Sequence, residues 1–369
     1  MRWSHIGLRR FAVFGAVFAM APATLLLSTP ARAASDPFNH GGNVLITDQF
    51  NNRVIEVDPA TKDIVWSFGS GDPSLCNPGP GTVIGPNDAE RLGDGLTLIS
   101  GTGVPAGASP ADPSFAQADN RVFVVDRQGH IHWQYGQAGV TGSGDNQLNV
   151  PVFAIQLPNH NILITDQGNN RVIEVSRTTR HVVWSYGPAS GPGALSGPNS
   201  AELLTNGHIL IADQGNNRVI EITRSGHIVW QFGSGNPAVT HPLDIAAFAS
   251  RLPNGDTLIT DSGHARIVEV TEAKHVVLQY FTDHATGSVA APLPTNAVRL
   301  RNGDISIADQ FNHRALIVNS DGDRLLEQTG ETGVFGTGFD QLDGPYTAFV
   351  IGDYTGQTVP PEDFSPSSP

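Results

Sequence analysis

The stretch Asp166–Val175, DQGNNRVIEV, returns almost unchanged at Asp213–Ile222 as DQGNNRVIEI. Further copies start at Asp48 (DQFNNRVIEV), Asp261 (DSGHARIVEV) and Asp309 (DQFNHRALIV), and the last four are 47, 48 and 48 residues apart. A fixed period of about 20–50 residues is the mark of repeated units that stack on one another. Around the motif, the unit Pro198–Gly233 parses into four short strands: 199–204, 208–212, 218–222 and 227–232. Asn206-Gly207 lies between the first two, where a two-residue hairpin needs left-handed backbone. Helical periodicity is weak, and short β-branched runs alternate with turn residues, so the chain reads as all-β.

The other units follow the same grammar. Opening strands read PNDAERL (Pro86–Leu92), PVFAIQL (Pro151–Leu157), PNSAELL (Pro198–Leu204) and PTNAVRL (Pro294–Leu300), with a looser version at Ala246–Leu252. Closing strands read IVWSFG from Ile64, IHWQYG from Ile131, VVWSYG from Val182 and IVWQFG from Ile228. Counting units gives six. Four strands in about 48 residues make a propeller blade, and closure of the ring protects the sheet edges. The first unit begins at Gly41 with its second strand, and the strand it lacks is found at Pro345–Ile351. The expected fold is therefore a six-bladed β-propeller over 41–355, in which the last strand completes the first blade.

These residues resemble the NHL-repeat propellers, whose blades carry a P-x-x-[AV] strand followed by an [IV]-x-D-x-x-N-x-R-[IV] hairpin. The resemblance covers nearly all of Asn43–Tyr354 and implies the propeller fold. For activity it implies a range: peptide-amidating and streptogramin-type lyases, strictosidine-synthase-like relatives, and scaffolds that bind protein or RNA. The Trp-x-x-Gly endings also resemble quinoprotein and arylsulfotransferase propellers, but six blades are too few for the usual eight-bladed quinone enzyme.

Residues 1–33 stand outside the repeat. A basic start (Arg2, Arg9, Arg10), an apolar run (Phe11–Leu27) and Ala31-Arg32-Ala33 form the three-part layout of a signal peptide, which predicts export. Arg9-Arg10-Phe11 hints at the twin-arginine route. No later stretch has the roughly 18 apolar residues of a membrane span. The segment holds four arginines and no acid, so its removal takes the net charge from −14 to −18. Nucleic acid and anionic membranes would be repelled, which leaves a neutral or cationic small molecule or a protein as the expected partner of a monomer. Cys76 is the single cysteine, so no internal disulfide forms, and nothing near it in sequence activates the thiol. The tail 356–369 reads as disordered.

Blade geometry sorts the candidate residues. The opening-strand starts, the DQxNxR turns and the inter-blade connections share one face, the top, where ligands of such rings usually bind. Repetition of DQxNxR in five units makes it architecture. Departures from it are more informative, and the largest is in the second blade, where Ser100–Asn120 inserts a Gly, Pro and Ala-rich stretch.

The channel mouth should be lined by Asn87, Asp88, Val152, Phe153, Asn199, Ser200, Asn296, Tyr346 and Thr347, with Glu90 and Glu202 one step deeper. For substrate binding, Asn87, Phe153, Asn199, Ser200, Asn296 and Tyr346 are the candidates. Asp88, Glu90 and Glu202 are candidate acid–base groups, since buried carboxylates there would have raised pKa values; the bland alternative is that they bond neighbouring backbone. His241, His264, His284 and His313 also fall on the top. The first three are candidate ligands, with Asp244 and Asp283 nearby, for a divalent metal such as zinc or calcium. NHL-type lyases use histidines and a metal on this face, so the resemblance implies the face without assigning individual ligands. No GxSxG elbow, phosphate loop or paired-cysteine metal motif is present.

Overall fold

The computed structural model describes residues 36–75, 77–104, 117–234 and 242–353. The segment 1–33, Cys76, residues 105–116 of the blade 2 insertion, His241 and the tail 356–369 lie outside the described residues.

The fold is a six-bladed β-propeller of four-stranded antiparallel sheets, and the sequence explains its elements blade by blade. Blade 1 contains β1 (Val44–Asp48), β2 (Arg53–Val57) and β3 (Ile64–Gly69). Blade 2 runs β4 (Pro86–Arg91), β5 (Thr97–Val104), β6 (Gln117–Val125) and β7 (Ile131–Gly136). Blade 3 is β8 (Pro151–Gln156), β9 (Ile162–Asp166), β10 (Arg171–Val175) and β11 (Val182–Tyr186). Blade 4 is β12 (Pro198–Leu203), β13 (Ile209–Asp213), β14 (Arg218–Ile222) and β15 (Ile228–Gly233). Blade 5 is β16 (Ala246–Arg251), β17 (Thr257–Asp261), β18 (Arg266–Val270) and β19 (Val276–Phe281). Blade 6 is β20 (Pro294–Arg299), β21 (Ile305–Asp309), β22 (Arg314–Val318) and β23 (Leu325–Thr329). The last strand, β24 (Pro345–Val350), pairs antiparallel with β1 through Val44–Val350, Leu45–Phe349 and Ile46–Ala348. Blade 1 is thus built from both ends of the propeller, as the missing opening strand predicts.

Burial follows from the ring. The second strands β1, β9, β13, β17 and β21 are buried along their whole length, so they read as continuous apolar runs. The outer strands alternate: in β15 the Trp230 and Phe232 side chains are buried while Val229 is exposed. Gly207 sits at φ +83° in its hairpin, the conformation for which Asn-Gly is selected.

Adjacent blades are riveted near the bottom. Glu56 pairs with Arg91 at 2.8 Å and Glu221 with Arg251 at 2.9 Å, each across one blade boundary. The same two guanidiniums lie over Trp66 and Trp230, 4.8 and 4.9 Å from the ring centroids. The Trp indoles in turn donate to backbone of the next blade: Trp66 to Arg127 O, Trp133 to Arg177 O, Trp184 to Arg224 O and Trp230 to Glu272 O, all at 2.9–3.0 Å. Removing one member of such a buried ion pair typically costs about 3–5 kcal/mol, because the other charge is left behind.

Candidate functional site

The repeated hairpin is a joint between blades. In blade 4 the buried Asp213 accepts Ser196 N–H through Oδ1 at 2.8 Å, and Asn216 Nδ2 and Arg218 Nε through Oδ2 at 2.8 and 2.7 Å. Arg218 then donates to the carbonyls of Pro192 and Ala194, which lie on the connection arriving from blade 3. Asn217 adopts φ 51°, and its Oδ1 accepts Ile245 N–H of the next connection at 2.8 Å. Blade 3 repeats this scheme through Asp166, Arg171 and Asn170. The aspartate therefore takes its backbone N–H from the incoming connection.

The inner strands carry a second pattern. Their third and fifth residues reach toward the free backbone edge of the following blade. Asp88 Oδ2 accepts Ala154 N–H at 3.0 Å, Glu90 Oε2 accepts Gln156 N–H at 2.8 Å, and Glu202 Oε2 accepts Arg251 N–H at 2.8 Å. Ser200 Oγ and Asn296 Oδ1 do the same for Ala249 and Ala348, at 3.3 and 3.4 Å. An inner strand exposes a row of backbone donors to the axis, and a buried donor left unmade costs about 1–3 kcal/mol. Burial pushes the Asp88 carboxyl up to about 8, against the N–H groups of Ala154 and Ala89 that favour its charged form. Burial also lifts Glu90 to about 8, and the neighbouring Asp88 adds to the rise.

Tyr346 closes the upper mouth. Its hydroxyl donates to Asn199 Oδ1 at 2.8 Å, across the ring from blade 1 to blade 4. Gln167 Nε2 donates to the same oxygen, Gln49 Nε2 to Asn87 Oδ1 at 2.6 Å, and Gln310 Nε2 to Gln49 Oε1 at 2.7 Å. Burial raises the Tyr346 hydroxyl to about 12, so it remains a donor at any physiological pH. Below it, Phe153 and Phe248 meet edge-on with centroids 5.3 Å apart. The structure therefore brings Asn87, Asn199 and Tyr346 into one hydrogen-bonded layer, with Phe153 beneath it, while Ser200 and Asn296 serve the strand edges.

Blade 2 departs from the others through its central hairpin. Here β5 has eight residues and β6 nine, against five in the corresponding strands of the other blades. The repeat is displaced within the insertion. Gly101 stands opposite Arg121, where Asp48 stands opposite Arg53 in blade 1. The carboxylate comes instead from Asp119 on the opposite strand; it accepts Ile84 N–H at 2.8 Å and binds Arg121. Asn120 keeps the left-handed role, with φ 59° and its Oδ1 on Val150 N–H. The string Asp119-Asn120-Arg121 was the signal in the sequence, and the displacement of the aspartate from position 101 to 119 hid it. At the foot of this hairpin a groove of about 250 Å³ is lined by Thr102, Val104, Gln117, Asn120, Thr141 and Val150 among others.

The histidines take separate places. His264 occupies the first Asn position of the repeat, and its Nδ1 lies 2.9 Å from Asp261 Oδ2, as Asn216 Nδ2 lies 2.8 Å from Asp213 Oδ2. His284 is exposed, stacks on Phe281 at 4.8 Å and stands 3.8 Å from Asp283. Pro242, His264, Arg266 and Phe281 line a groove of about 230 Å³, so His264 and the His284–Phe281 stack border one region of the top face. Among the described residues, no three His, Cys, Asp or Glu side chains converge as a metal site. His313 takes the second Asn position, with φ 56° and its Nδ1 accepting Gly344 N–H at 3.2 Å.

No protein-family model matches this chain, and no curated protein matches it in sequence. Solved structures do match. A protein of unknown function from Bacteroides caccae shares 16% identity, with 78% of this chain and 93% of that one covered and a TM-score of 0.55. A streptogramin B lyase shares 15% identity over 66% of this chain and 68% of its own, with a TM-score of 0.45. Virginiamycin B lyase from Staphylococcus aureus shares 14% over 78% and 84%, with a TM-score of 0.46. The first likeness is one of fold, and at such identity fold does not carry function with it.

Proposed function

We propose that this chain is an exported, monomeric, NHL-like propeller that works as a ligand- or protein-binding scaffold. Its ligand sits on the top face at the foot of the blade 2 hairpin. The observation that carries this reading is the lengthened β5–β6 hairpin beside its groove of about 250 Å³. The repeated hairpins and the inner-strand carboxylates are engaged in holding blades together; the blade 2 hairpin makes the same joint through Asp119, Asn120 and Arg121, and its added length is what the joint in the other blades does not need. The net charge of −14 favours a neutral or cationic ligand. The test is a thermal-shift screen of neutral and cationic fragments. The control is a variant in which residues 101–120 are replaced by the blade 4 turn, Asp-Gln-Gly-Asn-Asn. Fragments that stabilise the native protein and leave the variant unmoved support the reading; equal shifts in both would refute it.

One observation favours a second reading, a metal-assisted lyase or hydrolase working at the channel mouth. Asp88 and Glu90 are neighbouring carboxyls raised to about 8, near the range where a side chain can both give and take a proton. This reading expects a stoichiometric metal by elemental analysis of untagged protein, and turnover that is lost in Asp88→Asn or Glu90→Gln. Metal-free protein whose Asp88→Asn and Glu90→Gln variants keep any turnover would dismiss it.

A further inference from the structure

At four blade junctions an asparagine in left-handed conformation accepts the N–H of the residue that precedes the next inner strand. Asn52 holds Gly85, Asn120 holds Val150, Asn170 holds Gly197 and Asn217 holds Ile245, at 2.7–2.9 Å. At the junction that closes the ring, between blade 6 and the start of β24, the acceptor is His313 Nδ1, which takes Gly344 N–H. The ring is buried, 5% exposed, and packs at 5.6 Å from Phe335.

Accepting that N–H fixes the ring chemistry: Nδ1 must be unprotonated, so the neutral imidazole carries its hydrogen on Nε2. Asp343 Oδ1, a buried oxygen with no hydrogen-bond partner, lies 3.4 Å from the same Nδ1. The remaining charged groups nearby are engaged. Asp309 and Arg314, on His313's own hairpin, bind each other at 2.8 Å. Asp48, which receives Asp343 N–H, is bound to Arg53. Asp340 in the same connection accepts Gly330 N–H.

We infer that His313 is a proton-operated latch on ring closure: the neutral ring holds Gly344 at the start of β24, and the protonated ring releases that N–H and turns to Asp343. Histidine is the side chain whose ordinary titration spans about pH 5–8, whereas the asparagines at the other junctions do not titrate. Proton uptake exchanges one partner for another at the place where the two ends of the propeller meet. This device does not depend on any ligand and stands apart from the binding reading above.

The test is amide hydrogen exchange of Gly344 and Tyr346 in the full chain at pH 7.5 and 5.5, corrected for intrinsic rates. Protection at Gly344 in the native protein is expected to fall at least tenfold at the lower pH. His313→Asn, which installs the acceptor used at the other junctions, is expected to abolish that pH dependence. In Asp343→Asn the fall should move to lower pH, since the protonated ring has lost its anionic partner. Identical pH profiles for native protein and His313→Asn overturn the inference. So does nitrogen NMR of the native protein that finds the His313 hydrogen on Nδ1 at pH 7.5, a readout that needs no variant.

Discussion

Gly101 and Asp119 face each other across the blade 2 hairpin as a matched pair: a β-carbon at Gly101 would lie 2.7 Å from the Asp119 carboxyl carbon. The other blades place their aspartate on the second strand; blade 2 supplies it from the third and leaves a glycine as the space it enters. The joint survives the insertion because what matters is where the carboxylate sits, and either strand can deliver it. Gly101→Ala should therefore cost about 1–3 kcal/mol in urea unfolding, the usual penalty of overpacking. Gly101→Asp combined with Asp119→Gly should be more stable than Gly101→Asp alone, because the carboxylate is restored on the strand used elsewhere. Additive single-site costs would show that the two positions are uncoupled.

The inner-strand carboxyls predict how stability depends on pH. Asp88 and Glu90 are raised from 3.8 and 4.5 to about 8 in the folded chain. Between these limits the folded state keeps protons that the unfolded chain has lost, so their contribution is full below about pH 4 and declines as pH rises toward 8. Asp48, raised to about 6 by burial, acts in the same direction over the lower part of that window. The unfolding free energy, and with it the urea midpoint, should thus fall between pH 5 and 8.5, the free energy by up to about 1.4 kcal/mol per pH unit for each group. Asp88→Asn should flatten the slope, as Asn296 already serves the corresponding place in blade 6. A midpoint that rises with pH across this range would contradict the assignment.

Three residues before inner strands hold strained backbone. Val150 and Ile245 sit at φ 54° and Leu293 at φ 48°, where Gly85, Gly197 and Gly344 occupy the same place in other blades. Left-handed conformation costs an L-residue about 1–2 kcal/mol, and glycine gives back about 0.5–1 kcal/mol in chain entropy. Val150→Gly and Ile245→Gly should therefore leave the melting temperature unchanged or raise it slightly. A loss of more than about 1 kcal/mol would mean that packing of the side chain outweighs the strain.

Tyr346→Phe tests the closure of the mouth. It removes the hydroxyl bond to Asn199, worth about 1 kcal/mol, while Gln167 still serves the same oxygen. A small loss of stability with unchanged ligand binding fits a structural plug. Loss of binding with full stability would place the ligand at the axis instead.

The fold was legible because each blade repeats a local grammar that needs no long-range information. Even ring closure could be read, since Pro345–Val350 completes what Gly41 onward lacks. The site was less legible, because its decisive bonds join distant residues. Tyr346 and Asn199 are 147 positions apart. The partners of Asp88, Glu90 and Glu202 are backbone N–H groups of the next blade, and no side-chain pattern marks them. His264 and His313 looked like one group in sequence; the structure gives them two different asparagine roles, one binding Asp261 and the other Gly344.

On the proposed reading, the blade 2 hairpin holds the ligand while the axis holds the ring. Its most direct test is a hydrogen-exchange footprint of the strongest ligand from the thermal-shift screen. Added protection is expected at residues 102–104, 117–120 and 141–150, and none at 87–90 or 199–202. Protection confined to the inner strands around Asp88 and Glu202 would contradict it and return the site to the channel.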